Sequence, residues 1–126
     1  MKTRFLALAF FLCTVSLPTY AADWVRLGEN TRGDTFFIDK SSLQRDGDSV
    51  TFWVRTNFSV RKHGDLSAKT QETVNCRRRE TIIRYMMFYD DIDNRGRLTS
   101  SLDPKDKWKP IAPETAFWSQ MLFVCR

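Results

Sequence analysis

Thr81-Ile82-Ile83-Arg84-Tyr85-Met86-Met87-Phe88-Tyr89 is the stretch on which the fold turns. β-Branched and aromatic residues dominate it, and Ile82, Ile83, Tyr85, Met87, Phe88 and Tyr89 put apolar groups on both sides of an extended chain. A strand of that kind belongs in the interior of a sheet. Upstream, Ala68 to Cys76 alternates more weakly and predicts a strand with one wet face. Ser49 to Val60 predicts a longer strand, in which Val50, Phe52, Val54 and Phe58 alternate with Thr51, Trp53 and Arg55, giving one apolar face and one mixed face. Arg61 to Asp65, with Gly64, separates these two strands. Arg45-Asp46-Gly47-Asp48 is a tight turn, because Asp-Gly supplies the positive φ that a short hairpin needs. Before it, Trp24 to Gly28 and Thr35 to Asp39 predict two short strands on either side of Arg32-Gly33-Asp34, and Lys40 to Leu43 predicts a tight turn or short helix.

Downstream, Asp90 to Gly96 predicts a turn, Arg97 to Ser101 an edge strand, and Asp103 to Pro110 a polar loop holding Trp108. The period then changes. Pro113 suits a first helical position and Glu114 a first turn, while Phe117, Met121 and Val124, with Trp118, Leu122 and Cys125, recur at spacings of three and four. The expectation is a single small α+β domain: about six antiparallel strands with a C-terminal helix packed on one face.

The 126 residues are 42% hydrophobic and 28% charged, which fits an ordinary globular chain rather than a disordered one. Residues 1–21 are read apart from the domain as a cleaved signal peptide. Lys2 and Arg4 precede the apolar run Phe5 to Val15, and Thr19 and Ala21 stand at the positions a cleavage site prefers, leaving residues 22–126 as the mature domain. The run falls short of the roughly 20 apolar residues that span a bilayer, so the expectation is export to the periplasm or cell surface with no transmembrane segment. A lipid anchor on Cys13 is not expected, because Leu12 stands where such a site requires a small residue. Cleavage removes two basic residues and no acid, leaving 18 basic and 15 acidic side chains and a charge of +3, less than a nucleic-acid binder usually concentrates. Two cysteines remain, Cys76 and Cys125. In an exported chain they are most simply one disulfide, worth on the order of 4 kcal/mol in the chain-entropy account.

Catalytic and metal chemistry find little to build on. His63, the only histidine, sits beside Gly64 and reads as a solvated turn residue rather than a triad base. One histidine and two distant cysteines do not make a zinc site. Asp91 to Leu102 superficially matches a calcium loop, but Arg95 and Leu102 stand where ligands are needed. Carboxylate pairs for glycoside hydrolysis form in space, and nothing in the chain points to one. No phosphate-cradling glycine loop occurs, and Asn57-Phe58-Ser59 reads as a chance glycosylation sequon. The domain is therefore expected to be non-enzymatic and without a cofactor. Surface chemistry remains. Arg77, Arg78 and Arg79, followed by Arg84 and with Lys105, Lys107 and Lys109, are candidates for a basic patch, and Trp53 and Trp108 are the aromatics placed where partner contact is plausible. Alternation along a strand would nonetheless send Arg78 away from its two neighbours unless all three lie in a turn.

The order of landmarks carries a resemblance. Trp24 opens the domain, and Phe37-Ile38-Asp39 is followed by Ser41-Ser42-Leu43. Trp53 lies within Val50 to Val54, Cys76 precedes Arg77 to Arg79, and Tyr89 stands before a glycine turn. Trp108-Lys109-Pro110-Ile111-Ala112-Pro113 and a terminal Val124-Cys125 complete the set. Together these resemble the surface-adhesin protein E family of Gram-negative bacteria, over nearly all of residues 22–126. The resemblance implies a small antiparallel sheet with a C-terminal helix tied down by a disulfide. It also implies an adhesive role, since members are surface or outer-membrane proteins that bind host extracellular-matrix and serum proteins and can dimerise. Leu12 before Cys13 departs from a surface lipoprotein, which leaves a second reading: a periplasmic accessory or inhibitor protein acting on a partner inside the envelope.

Overall fold

Alternating strands joined by tight turns make a meander, because each hairpin places consecutive strands side by side. The computed structural model describes residues 12–17 and 21–126; the expected signal segment falls mostly on residues outside these. The elements run β1 (Trp24–Glu29), β2 (Thr35–Asp39), a 3-10 turn (Lys40–Ser42), β3 (Gln44–Asp46), β4 (Ser49–Lys62), β5 (Asp65–Asn75), β6 (Glu80–Tyr89), a second 3-10 turn (Ile92–Asn94), β7 (Leu98–Leu102), β8 (Lys109–Pro110) and α1 (Ala116–Val124). The sheet is antiparallel in the order β1-β2-β4-β5-β6-β7, with short β3 added to β4 and short β8 to β6. The expected six strands are that main path, and the two short ones bring the total to eight.

Turn chemistry follows the sequence. Gly47, at φ 59°, turns β3 into β4, and His63 and Gly64, at φ 50° and 89°, turn β4 into β5. His63 is an exposed turn residue, as expected. Asp39 accepts from the backbone N–H of Ser41 at 3.0 Å and so caps the first 3-10 turn.

β6 lies between β5 and β7, inside the sheet as expected. A bulge inserts Arg84 between the pairs Glu72–Ile83 and Gln71–Tyr85. The extra residue resets the alternation, which is how a strand with apolar groups on both faces fits a sheet with only one oily side. β5 meets expectation in part: Lys69 and Gln71 stay half-exposed on one face, but Ser67, Ala68, Thr70, Glu72, Thr73 and Val74 are all buried, so several of its polar residues are interior. Strands on both sides of β5, and a helix over part of one face, remove the water that alternation alone predicts.

The core lies between one sheet face and α1. Ile38, Val50, Phe52, Val54 and Val74 meet Ile111, Met121 and Val124 there. The Cys76–Cys125 disulfide ties the end of this helix to the turn that follows β5. The helix starts later than its sequence suggests. Thr115, rather than a residue preceding Pro113, is the N-cap: its Oγ1 accepts from the Trp118 N–H at 3.2 Å and donates to the Ala112 carbonyl at 2.7 Å. Glu114, at φ 62°, is held in the turn before the helix rather than in its first turn. Leu122, expected on the apolar stripe, is 56% exposed, whereas Gln120 is buried.

Candidate protein-binding face

Residues that alternate with the core positions point to the opposite face of the sheet, which α1 does not cover. Cross-strand register sets Phe37 beside Arg55, Arg55 beside Lys69 and Lys69 beside Met87, with Trp53, Gln71 and Tyr85 in the next row. The side chains interlock. The Arg55 guanidinium lies 4.8 Å from the ring centre of Trp24 and 4.6 Å from that of Phe37, is 14% exposed, and pairs with Asp93 at 3.4 Å. The Lys69 ammonium lies 4.9 Å from the Trp53 ring, and the Arg84 guanidinium 5.6 Å from that of Trp108. Arg84 Nε donates to Thr73 Oγ1 at 3.2 Å, and Thr73 in turn shares a hydrogen bond with Thr51 at 2.9 Å. Each such cation–aromatic contact is worth about 0.5–2 kcal/mol and holds a charged group on an apolar platform without burying it fully.

Two loops frame the face. The turn at Ile92–Asn94 docks at one end through Asp93, which receives a hydrogen bond from Asn57 and the charge of Arg55. The loop carrying Trp108 docks on β6, where Asp106 Oδ2 accepts from the Ile83 N–H at 2.9 Å; this bond is the main reason the Asp106 carboxyl is held below its ordinary pKa.

The candidates read from sequence separate accordingly. Trp53 and Trp108 belong to the open face, half-buried and 41% exposed respectively. Arg77, Arg78 and Arg79 lie together in the turn between β5 and β6, all exposed, so strand alternation does not divide them. Arg77 pairs with Asp48 at 3.4 Å and Arg79 reaches back to within 6.0 Å of the Trp118 ring on α1. Lys105 pairs with Asp103, Lys109 pairs with Asp106 and lies over Phe117, and Lys107 is exposed. Much of the supposed basic patch is therefore already matched with acid or turned toward the helix. Sequence reasoning named Arg84 only as a basic residue and missed Trp24, Phe37, Arg55 and Lys69; the mixed face of β4 was the signal that leads to them. Among the described residues, no group of three or more His, Cys, Asp or Glu could hold a metal ion, and no helix is long and apolar enough to cross a membrane.

A meander sheet with a disulfide-tied terminal helix on one face and cations seated on aromatic rings on the other defines a small α+β domain with one sheet surface left open. The chain belongs to the family described as Surface-adhesin protein E, whose profile matches residues 24–126. Its fold is that of Haemophilus influenzae protein E. One structure of that protein aligns with a TM-score of 0.64 and 19% identity over 88% of this chain and 90% of the other. A second crystal form gives 0.65 and 19% over 88% and 94%. The protein from a non-typeable strain gives 0.59 and 19% over 88% and 81%. No curated protein sequence matches the chain.

Proposed function

We propose that this chain is an exported, non-enzymatic domain that recognises a protein partner, of the host extracellular-matrix or serum class, through the open face of its sheet. The single observation that carries this reading is the interleaved array Trp24–Arg55–Phe37, Lys69–Trp53 and Arg84–Trp108 on a face that the helix leaves uncovered. Aromatic and arginine side chains are the groups that dominate protein–protein contacts, and here stacking and ion pairs hold them in place before a partner arrives. The family's adhesin character supports the same reading. The resemblance also implies dimerisation, for which β7, exposed along its whole length at the sheet edge, offers unpaired backbone groups.

The test pairs location with contact. Protease treatment of intact native cells, with a periplasmic control protein, should cleave a tagged form of this chain while the control survives. The purified domain should then bind immobilised serum or matrix proteins, and Lys69→Glu with Trp53→Ser should weaken that binding at least about tenfold while leaving the fold intact. Full protection of the tag would overturn the surface role. Leu12 before Cys13 would then favour the alternative, a periplasmic accessory or inhibitor protein using the same face. Binding indifferent to the double variant would overturn the face.

A further inference from the structure

The helix covers only part of its side of the sheet. Beside its N-terminal half lies a groove of about 850 Å³, in the size range of small-molecule sites, walled by Leu27, Phe36, Phe58, Met86, Phe88 and Phe117. Two polar side chains in its lining are not satisfied by the protein. Glu72, 4% exposed, receives a hydrogen bond from Thr70 on Oε1 at 3.2 Å, but its Oε2 has no partner; Gln120, 2% exposed, has none on Oε1. A buried acceptor without a partner costs about 1–3 kcal/mol, and these two fall in the lining of one groove.

With Glu72 ionised, both oxygens call for a donor. Its lining carries Glu29, Asp34, Glu72 and Glu114 against Arg32 and Lys62; both cations lie 3.7 Å from Asp34, and Arg26, beside the groove, pairs with Glu29 at 3.6 Å. That local excess of acid runs against the basic balance of the whole chain. Burial raises the pKa of Glu72 to about 7, opposed by the Thr70 hydroxyl and Lys109 and assisted by Asp106, so a cation seated beside it would draw it into its charged form.

We propose that this groove binds a small amphiphile with a primary-ammonium head, its apolar body against the phenylalanine walls and its N–H groups on Glu72 and Gln120. Other heads fit worse for definite reasons. A carboxylate sets acceptor against acceptor. An alcohol offers one donor and no charge, and a quaternary ammonium offers charge and no N–H.

Calorimetric titration of the intact domain at neutral pH with octylamine, octanol, octanoate and octyltrimethylammonium reads these differences directly. Octylamine should bind at least about tenfold more tightly than the other three, the interval expected for a charge-assisted hydrogen bond in a dry site. Glu72→Gln should remove that advantage, bringing octylamine binding to the level of octanol. Should this variant fail to fold, the head-group series on the unaltered protein decides alone. Equal or tighter binding of octanoate or octyltrimethylammonium, or no binding by any of the four, would overturn the assignment. The Lys69→Glu and Trp53→Ser changes on the opposite face should not alter octylamine binding, which keeps this site distinct from the proposed partner surface.

Discussion

Asn57 and Asp93, 36 residues apart, grip each other twice: Asn57 Nδ2 donates to Asp93 Oδ1 at 2.8 Å, and Asn57 Oδ1 accepts from the Asp93 backbone N–H at 2.8 Å. The exchange fastens the turn after β6 to the long strand β4. It also holds Asp93 at φ 58°, a left-handed conformation that few residues adopt freely. The side-chain nitrogen a glycan would occupy is already engaged, in keeping with Asn57-Phe58-Ser59 as a chance sequon. Asn57→Ala should lower stability by about 1–3 kcal/mol, because it breaks both bonds and leaves the buried edge of Asp93 served only by Arg55. Urea unfolding followed by tryptophan fluorescence measures this; a loss below a few tenths of a kcal/mol would show the clasp to be idle.

The Cys76–Cys125 bond closes a separation of 49 residues across the core. Cys125→Ala should cost roughly 2–4 kcal/mol, or about 10–20 °C in Tm for a domain of this size. Reductant should depress the Tm of the unaltered protein similarly and leave the variant unmoved. Insensitivity of the unaltered protein to reductant would contradict the role given to the bond.

Glu72 should make the domain less stable as pH rises. Its folded pKa, about 7, exceeds the ordinary value of 4.5, with burial as the main cause. Below pH 4.5 the group is neutral whether the chain is folded or not, and it imposes no penalty. Between pH 4.5 and 7 only the unfolded chain releases the proton, so stability falls; above pH 7 both states are ionised and the loss is constant. Glu72→Gln should remove this fall and be more stable than the unaltered protein at pH 8 by on the order of 2–3 kcal/mol. Parallel pH–stability curves for the two proteins would refute the assignment of this slope to Glu72.

Two glycines separate backbone strain from collision. Gly96, at φ 74°, faces Asp90 so closely that a Cβ would overlap its carboxylate, the same group that accepts from the Arg97 N–H at 2.7 Å. Gly47, at φ 59°, has open space around it. Gly47→Ala should cost about 1–2 kcal/mol, the left-handed penalty alone, whereas Gly96→Ala should cost more and loosen the join between β6 and β7. Chemical denaturation supplies the two values, and equal losses would mean that Asp90 moves aside freely.

Changing Arg77 and Arg78 to Ser should leave partner binding unchanged, because Arg77 spends its charge on Asp48 and both residues lie outside the aromatic array. A binding assay across salt concentrations makes the comparison; loss of affinity with a flatter salt dependence would return the arginine turn to the interface.

What the sequence made legible was local. Alternation in β4, the Asp46-Gly47 turn and the break at His63-Gly64 are written in neighbouring residues, and the hairpins follow from them. β5 was read only in part, because the burial of Thr70, Glu72 and Thr73 comes from groups on other elements. The start of α1 was misread because Pro113 and Glu114 fit a helix as well as they fit the turn that precedes Thr115. Lys109 and Pro110 form β8 only because β6 is there to receive them, Lys109 lying opposite Thr81. The open face was half legible. Trp53 and Trp108 stood out as single residues, but pairing Arg55 with Trp24 and Phe37, or Lys69 with Trp53, depends on register between distant strands, which no local pattern encodes.

The disulfide has one more effect, on covalent continuity. Everything from β6 to the end of α1 lies between Cys76 and Cys125, including the exposed stretch around Lys105 and Lys107. A single nick there divides the chain without releasing a fragment, since both halves stay joined through sulfur and remain hydrogen-bonded in one sheet. A domain wired this way keeps both its aromatic face and its helix after a first cut, and the damage shows only once the bridge is reduced.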